Sequence, residues 1–445
     1  MHEAIVIGRG PLGIYTSYKL LHKGIKVLNI DCGEGLNHLK NKQNLKSNIT
    51  WKTHLQAPSL NKKASDFRWH GGCMCLPISE LGNSNQKIPI NENEYKKSVK
   101  AVSDFFDITD FDFFQNKPVT YIREGKYNNS EDIRYTYITK NLNFEKKVKE
   151  IEENENYTFI DSSITTKITP GDLVEIETIQ KNQKLIKYKT KSLYVCLGAV
   201  ENARLLLNSK KQLKIENRNI GKNLNDHLRF PVATFKVKHF EQFRDLFDKD
   251  RNTLKNNNLW PRLIVENEEL QSYGFFKLWR YDNVLFRKLN LSFLKKLIPT
   301  SGSCTLFLFV EKLYSNESFL SIDSDKPLPN LDVKFFLTDD ELTNIRNLAN
   351  SYFKHFYEHY GEYIKDISPV VINKDKEFLD IVVSSNHPSG TTPMGVSPKD
   401  SVVNPESKLW TYDNIHIFGS STLPRPYYIH PTFTSIVIAD YSLNA

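Results

Sequence analysis

The sequence has no run approaching the ~18 consecutive apolar residues of a membrane-spanning helix. Its 445 residues include only five cysteines, too few and of odd number for a small disulfide scaffold. Sparse cysteine fits a reducing compartment. Charge of one sign does not dominate either. Lys and Arg total 60 against 52 Asp and Glu, a net +8 with lysines scattered among Asn and Glu. That pattern speaks for solubility and excludes the concentrated basic patch of a nucleic-acid binder. The start lacks the basic, apolar and cleavage regions of a secretory signal, so a cytoplasmic location is expected. Internal repeats and low-complexity linkers are also missing. With 39% hydrophobic residues the chain is not disordered as a whole, and its length suits about two to four domains.

What is present begins at once. Ala4-Ile5-Val6-Ile7 reads as a buried parallel strand. Gly8-Arg9-Gly10-Pro11-Leu12-Gly13 follows, a G-x-G-x-x-G, and then a helical pattern through Ile14, Tyr18 and Leu21 that Gly24 ends. Residues 25–30 form a second strand closed by Asp31. Gly8 permits the tight turn, Gly10 lets backbone approach a pyrophosphate, and Gly13 lets helix pack on strand. The helix N-terminus offers free N–H groups and a positive dipole. Asp31 is placed to accept from ribose hydroxyls. Strand, glycines, helix and acid in this order indicate a dinucleotide site, but do not distinguish FAD from NAD.

The densest pattern lies in the last 60 residues. It comprises Asn386-His387-Pro388-Ser389-Gly390-Thr391-Thr392-Pro393-Met394-Gly395, then Val402-Val403-Asn404-Pro405, then Asn414 to Pro424 with Gly419-Ser420-Ser421, and finally His430-Pro431-Thr432 opening an apolar helix. Earlier come Gly198-Ala199-Val200-Glu201-Asn202-Ala203-Arg204, Gly221-Lys222-Asn223-Leu224-Asn225-Asp226-His227, and Gly71-Gly72-Cys73. In this order and spacing the motifs resemble the glucose–methanol–choline (GMC) oxidoreductases, which are FAD-dependent. They run from residue 4 to 440 and cover well under half the positions. The Gly-Ser-Ser form at 419–421 resembles the bacterial sugar and polyol dehydrogenase branch.

The resemblance implies an α/β fold (α+β overall): an FAD-binding Rossmann-like domain with a discontinuous antiparallel-sheet substrate domain. The FAD-binding domain would take residues 1–90, 145–225 and 383–445, and the substrate-binding domain 91–144 and 226–382. It implies oxidation of an alcohol to a carbonyl, with hydride passing to the flavin. His387 is assigned as general base and His430 as its partner on the substrate oxygen; histidine titrates near neutrality and suits either role. Which of the two takes the proton stays open. Cofactor contacts are expected from Gly8, Gly10, Pro11, Leu12, Gly13, Asp31, Gly71, Gly72, Cys73, Thr165, Gly198, Gly419, Ser420, His430, Pro431 and Thr432. Thr165 is chosen because residues 163–168 look like the short strand that reads adenine. Asp226-His227 reads either as structural or as close to the cofactor.

The flavin loop is Gly-Gly-Cys-Met-Cys where the family has Gly-Gly-Ser/Thr; Cys73 and Cys75, with no second pair, do not make a zinc site. His70 precedes the glycines in a region through which some members attach FAD covalently. The partners implied are a small-molecule alcohol and an electron acceptor, whether oxygen, a quinone or another carrier. Rival readings are a lyase that holds FAD without redox, a non-catalytic nucleotide-binding protein, and an NAD-dependent dehydrogenase.

Between the motifs, Thr305 to Val310 reads as a buried strand and Leu331 to Phe335 as a half-buried one. Leu342, Ile345, Leu348, Tyr352 and Phe356 mark one face of a helix. Residues 284–299 alternate basic and apolar. They read as an amphipathic helix on its own domain, a cover for the site mouth, a subunit contact or a peripheral membrane contact.

Overall fold

A computed structural model of the chain describes residues 1–33, 43–50, 71–84, 86–115, 133–138, 141–180, 182–214, 219–247, 259–264, 272–280, 302–312, 317–323, 327–369 and 375–445. His70 and the 284–299 segment lie outside them. The architecture is mixed α/β, with three sheets among the described residues.

The first sheet joins segments far apart in sequence. Strand β1 (His2–Ile7) pairs in parallel with β2 (Val27–Ile30), and β2 with β6 (Tyr157–Ile160). On its other side β1 pairs in parallel with β9 (Leu185–Val195). Strands β7 (Ser163–Thr169) and β8 (Val174–Gln180) extend β9 as an antiparallel meander. Where β8 leaves β9, β18 (Ile415–Ile417) takes its place, in register Ile415↔Leu193 to Ile417↔Val195. Residues 4–7 of β1 are a continuous apolar run and β2 is buried throughout, because both faces are covered.

The second sheet is antiparallel, in the order β16 (Ile364–Pro369), β10 (His227–Val237), β13 (Gly302–Glu311), β12 (Ser272–Arg280), β11 (Leu259–Ile264), β5 (Ile133–Ile138), β4 (Gly72–Cys73), with β17 (Val383–Ser384) beside β10. Strand β13 alternates strictly at Cys304, Leu306 and Leu308, which are buried, while Ser303, Thr305 and Phe307 are half-buried. This period of two gives the sheet two different faces. A small third sheet orders β14 (Phe319–Ile322), β15 (Leu331–Phe335) and β3 (Gln43–Ser47).

Eight α-helices occur among the described residues: α1 (Pro11–His22), α2 (Glu92–Phe105), α3 (Asn141–Glu152), α4 (Gly198–Asn208), α5 (Phe240–Phe247), α6 (Asp339–Tyr360), α7 (Asp375–Ile381) and α8 (Pro431–Asn444). Helix α6 starts in a capping box between Thr338 and Glu341 and buries all five of its expected face residues. Tyr352 reaches the second sheet at Gly274, where even a Cβ would overlap its ring. Helix α8 is buried on nearly all sides, as a helix without a polar face must be. Its Asp440 carboxylate is sequestered but paired: it accepts from Tyr15 Oη at 2.7 Å and meets Lys19 Nζ at 2.8 Å. No helix of the described residues is long and apolar enough to cross a membrane.

One buried group sets an acid limit. His416, on β18, stacks on Tyr194 with ring centroids 4.7 Å apart. Burial first, and Lys408 second, lower its pKa from 6.5 to about 4. Between these values the unfolded chain binds a proton that the native chain refuses, so this stabilisation is lost as pH falls from 6.5, by about 3 kcal/mol in all. We predict that His416→Phe, which keeps the stack, flattens the fall in urea midpoint between pH 6.5 and 5. An unaltered acid limb would contradict it.

Candidate active site

The carboxyl ends of the parallel strands converge, the usual place for ligands in such sheets. Gly8 leaves β1 in the left-handed region, φ +99°, and a Cβ there would lie 2.5 Å from the Cys196 carbonyl oxygen. A Cβ on Gly13 would lie 2.0 Å from the Gly8 carbonyl oxygen. These two glycines are therefore required by the packing of the chain on itself. Gly10 differs: a Cβ there would meet nothing within 4 Å, so the chain runs past open space. Gly10 caps α1 without a side-chain hydrogen bond, followed by Pro11 and the buried Leu12.

Asp31 follows β2 and holds this loop. Its Oδ2 accepts from the Arg9 N–H at 2.8 Å and its Oδ1 from the Gly33 N–H at 2.9 Å. Burial pushes its pKa up, and the two amide bonds oppose that shift. The Ser163 N–H donates to the Asp31 carbonyl at 3.0 Å, which brings the start of β7 to the same place. Thr165, two residues on, is buried, and its hydroxyl has no hydrogen-bond partner among the described residues.

Gly198, φ +79°, opens α4 after β9, and Gly419, φ +138°, follows β18. A Cβ on Gly419 would stand 3.6 Å from the Gly198 Cα. Asn202 binds the two turns together. Its Oδ1 accepts from the Leu197 N–H, and its Nδ2 donates to the Phe418 carbonyl and to Ser421 Oγ, each at 2.9 Å. Ser420 Oγ donates to the Pro388 carbonyl at 2.8 Å, which ties this cluster to the His387 segment.

At the other end His387 and His430 meet, with ring centroids 5.2 Å apart and planes at 74°. Both are half-buried. His430 precedes Pro431 and Thr432, which open α8. Gly72 of β4 lies against the His430 ring: a Cβ there would sit 3.2 Å from it. Gly71 has φ +73°, and its carbonyl accepts from the buried Cys73 Sγ at 3.3 Å. Cys75 Sγ pairs with Tyr95 Oη at 2.8 Å, and burial pushes that thiol up to about 12, so it packs as a neutral group.

His387 is anchored through Asp226. The Asp226 Oδ1 accepts from the His387 N–H at 2.9 Å and from the His227 N–H at 2.7 Å. His227, at the start of β10, is fully buried and stacks on Phe309 of β13 with centroids 4.6 Å apart. Phe309 in turn stacks on Tyr273 of β12, also at 4.6 Å. Both aromatics approach the His430 ring, and Phe309 approaches His387 as well. One face of the antiparallel sheet thus forms an apolar wall beside the two histidines, while its other face carries α6. Chemically, the arrangement sets two titratable imidazoles side by side against a wall that excludes water.

Residues 315–439 match the model of the GMC oxidoreductase family. No curated protein matches the chain in sequence. Among solved structures it is similar to pyridoxine 4-oxidase from Mesorbium loti, with TM-score 0.60 and 13% identity over 99% of this chain and 98% of that one. It is also similar to formate oxidase, with TM-score 0.55 and 11% identity over 100% of this chain and 97% of that one. A variant of the Aspergillus oryzae RIB40 formate oxidase, solved for the effect of a mutation on FAD modification, gives 0.55 and 11% over 99% and 96%. At such identities these likenesses establish the fold.

Several members of this candidate site were not legible as site residues in sequence. Arg9, the variable residue inside the glycine motif, lies over Phe159 at 4.2 Å and pairs with Glu152. Phe309 and Tyr273 carry no motif; only alternation along β13 and β12 could have marked them. His227 had a signal, its place beside Asp226, but no visible partner.

The glycines yield a test. Gly13→Ala should prevent stable folding, since backbone stands where its Cβ must go. Gly10→Ala should keep the wild-type melting temperature. It should lower the affinity for the dinucleotide about tenfold or more, because the methyl fills the open space; thermal melts and dinucleotide titration check both. Equal loss of stability in the two variants would refute the distinction.

Proposed function

We propose that the chain is an FAD-dependent oxidoreductase that converts a primary or secondary alcohol, on a sugar, polyol or natural-product intermediate, to a carbonyl. The match of residues 315–439 to the GMC oxidoreductase model supports FAD and the oxidoreductase class. The finer reading is carried by the His387–His430 pair, 5.2 Å between centroids beside Gly72 and the Phe309–Tyr273 wall. In this reading residues 1–90, 145–225 and 383–445 hold the cofactor, and 91–144 and 226–382 bind substrate.

The residues present fit the cofactor. A Cβ at Gly10 or Gly198 would meet nothing within 4 Å, so open space borders the N-termini of α1 and α4. Gly8, Gly10, Pro11, Leu12 and Gly13 would cradle the pyrophosphate, and α1 offers it backbone N–H groups with no acidic side chain in the first turn. Asp31 would take the ribose hydroxyls, and Thr165 would lie at the adenine end. Gly71, Gly72, Cys73, Gly198, Gly419 and Ser420 would line the flavin side. His430, Pro431 and Thr432 would stand at the ring, with the positive end of α8 toward it.

FAD, when bound, supplies a two-electron hydride acceptor. The chain supplies the rest. His387 takes the hydroxyl proton as the C–H bond gives up its hydride and the C=O bond forms. His430 holds the substrate oxygen by a hydrogen bond that strengthens as charge develops there. Phe309 and Tyr273 keep water out, which strengthens both interactions. An electron acceptor, oxygen, a quinone or another carrier, then completes the cycle.

The visible spectrum of the purified protein tests the cofactor, and anaerobic bleaching by a panel of alcohols tests the reaction. A protein that stays colourless after incubation with FAD would end this reading; bound flavin that no alcohol bleaches would favour a non-redox lyase. His387→Ala should retain the flavin bands and slow single-turnover reduction about 100-fold or more. Reduction at the wild-type rate would remove the base assignment.

A further inference from the structure

We propose that His227 is a positioning residue that sets the tautomer of His387, leaving Nε2 of His387 as the nitrogen that accepts a proton. The inference rests on the reading of His387 as the base and decides which of its atoms acts.

The argument starts at a group that cannot donate. The Tyr427 carbonyl oxygen lies 2.5 Å from His227 Nε2, so that nitrogen must carry the hydrogen. His227 is fully buried and stacked on Phe309. Burial, and then the neighbouring His387, push its pKa well below the usual imidazole value. It is therefore neutral, and a neutral imidazole protonated at Nε2 presents a lone pair at Nδ1. The atom facing that lone pair, at 3.1 Å, is His387 Nδ1. Two lone pairs cannot bond each other, so His387 donates from Nδ1. In the neutral His387 this leaves the lone pair on Nε2.

The chain of bonds is fixed at both ends. The Tyr427 N–H donates to Glu311 Oε2 at 3.1 Å, and the fully buried Glu311 also takes a two-pronged bond from Arg425. The Tyr427 phenol donates to the Gln86 carbonyl at 2.8 Å. Asp226 Oδ1 clamps the backbones of His227 and His387 together. The two ring planes stand at 90° with centroids 5.2 Å apart. The charged and titratable groups around His227 are thus His387, Asp226, Glu311 and Arg425. None of the three non-histidine groups replaces the Tyr427 carbonyl as the partner of Nε2. Once His387 is protonated, its positive charge stays on that ring, because burial disfavours a second proton on His227.

The test uses the FAD-loaded protein labelled with 15N-histidine. At pH 8 the wild type should show His387 with a protonated Nδ1 and a bare Nε2, and His227 with the reverse. A bare His387 Nδ1 would overturn the proposal with no variant needed. His227→Leu should leave His387 as a mixture of both tautomers and slow flavin reduction about 100-fold with little change in substrate KM. His227→Gln, whose amide can both donate to Tyr427 and accept from His387, should restore the single tautomer and most of the rate. A single Nδ1–H tautomer persisting in His227→Leu would refute the role of His227. If the tautomers are as stated but His387→Ala reduces flavin normally, the relay stands and the base assignment fails.

Discussion

A carboxylate oxygen, Asp226 Oδ1, joins the two segments that meet at the proposed reaction end. It accepts the backbone N–H of the adjacent His227 and that of His387, 161 residues away in sequence. Together with the pairing of β17 on β10 and the Ser385 N–H bond to the His227 carbonyl, it fixes the His387 segment on the start of β10, where the two rings meet at 3.1 Å. A buried carboxylate that receives amide hydrogens is costly to disturb, because removing it strands the donors as well. The aromatic wall, the Glu311–Arg425 pair and the Tyr427 carbonyl are arranged around that point.

The two ends of the site are built by different means. The proposed nucleotide end is made of backbone: glycines at close approaches, helix N-termini, and Asp31 bonded to main-chain amides. The reaction end is made of side chains whose orientation depends on hydrogen-bond direction and ring packing. This difference governs what could be read in the sequence. Gly8 and Gly13 were legible because a Cβ at either would strike backbone, so the residue type itself carries the geometry. The helix face at Leu342, Ile345, Leu348, Tyr352 and Phe356, and the alternation at Leu331 to Phe335, were legible because periodicity maps directly onto burial. The second strand begins at Val27 and not Ile25, since the turn at Gly24 bonds Ile25 back to the helix.

The function of His227 was not legible in the same way. Sequence placed it next to Asp226 but could not reveal that a carbonyl 200 residues onward fixes its proton. Nor could it foresee that Phe309 and Tyr273, ordinary members of two strands, would stack into one column with it. Non-local contacts of this kind leave no periodic trace. The motif residues His387 and His430 were recognisable only through resemblance, since a lone histidine says nothing of its neighbours.

The docking of α8 has a consequence for the life of the chain before it is complete. Tyr15 and Asp440 are 425 positions apart, yet their bond and the apolar surface around it join the first helix to the last one described. During synthesis α1 emerges early and must wait for α8. At about 5–20 residues per second, that interval is roughly 20–90 seconds. Throughout it, the faces of α1 and α2 that α8 will cover remain open, and β9 lacks its β18 neighbour. The nascent chain is thus exposed to misassociation until α8 leaves the ribosome, and its yield in a cell should depend on what shields those faces meanwhile.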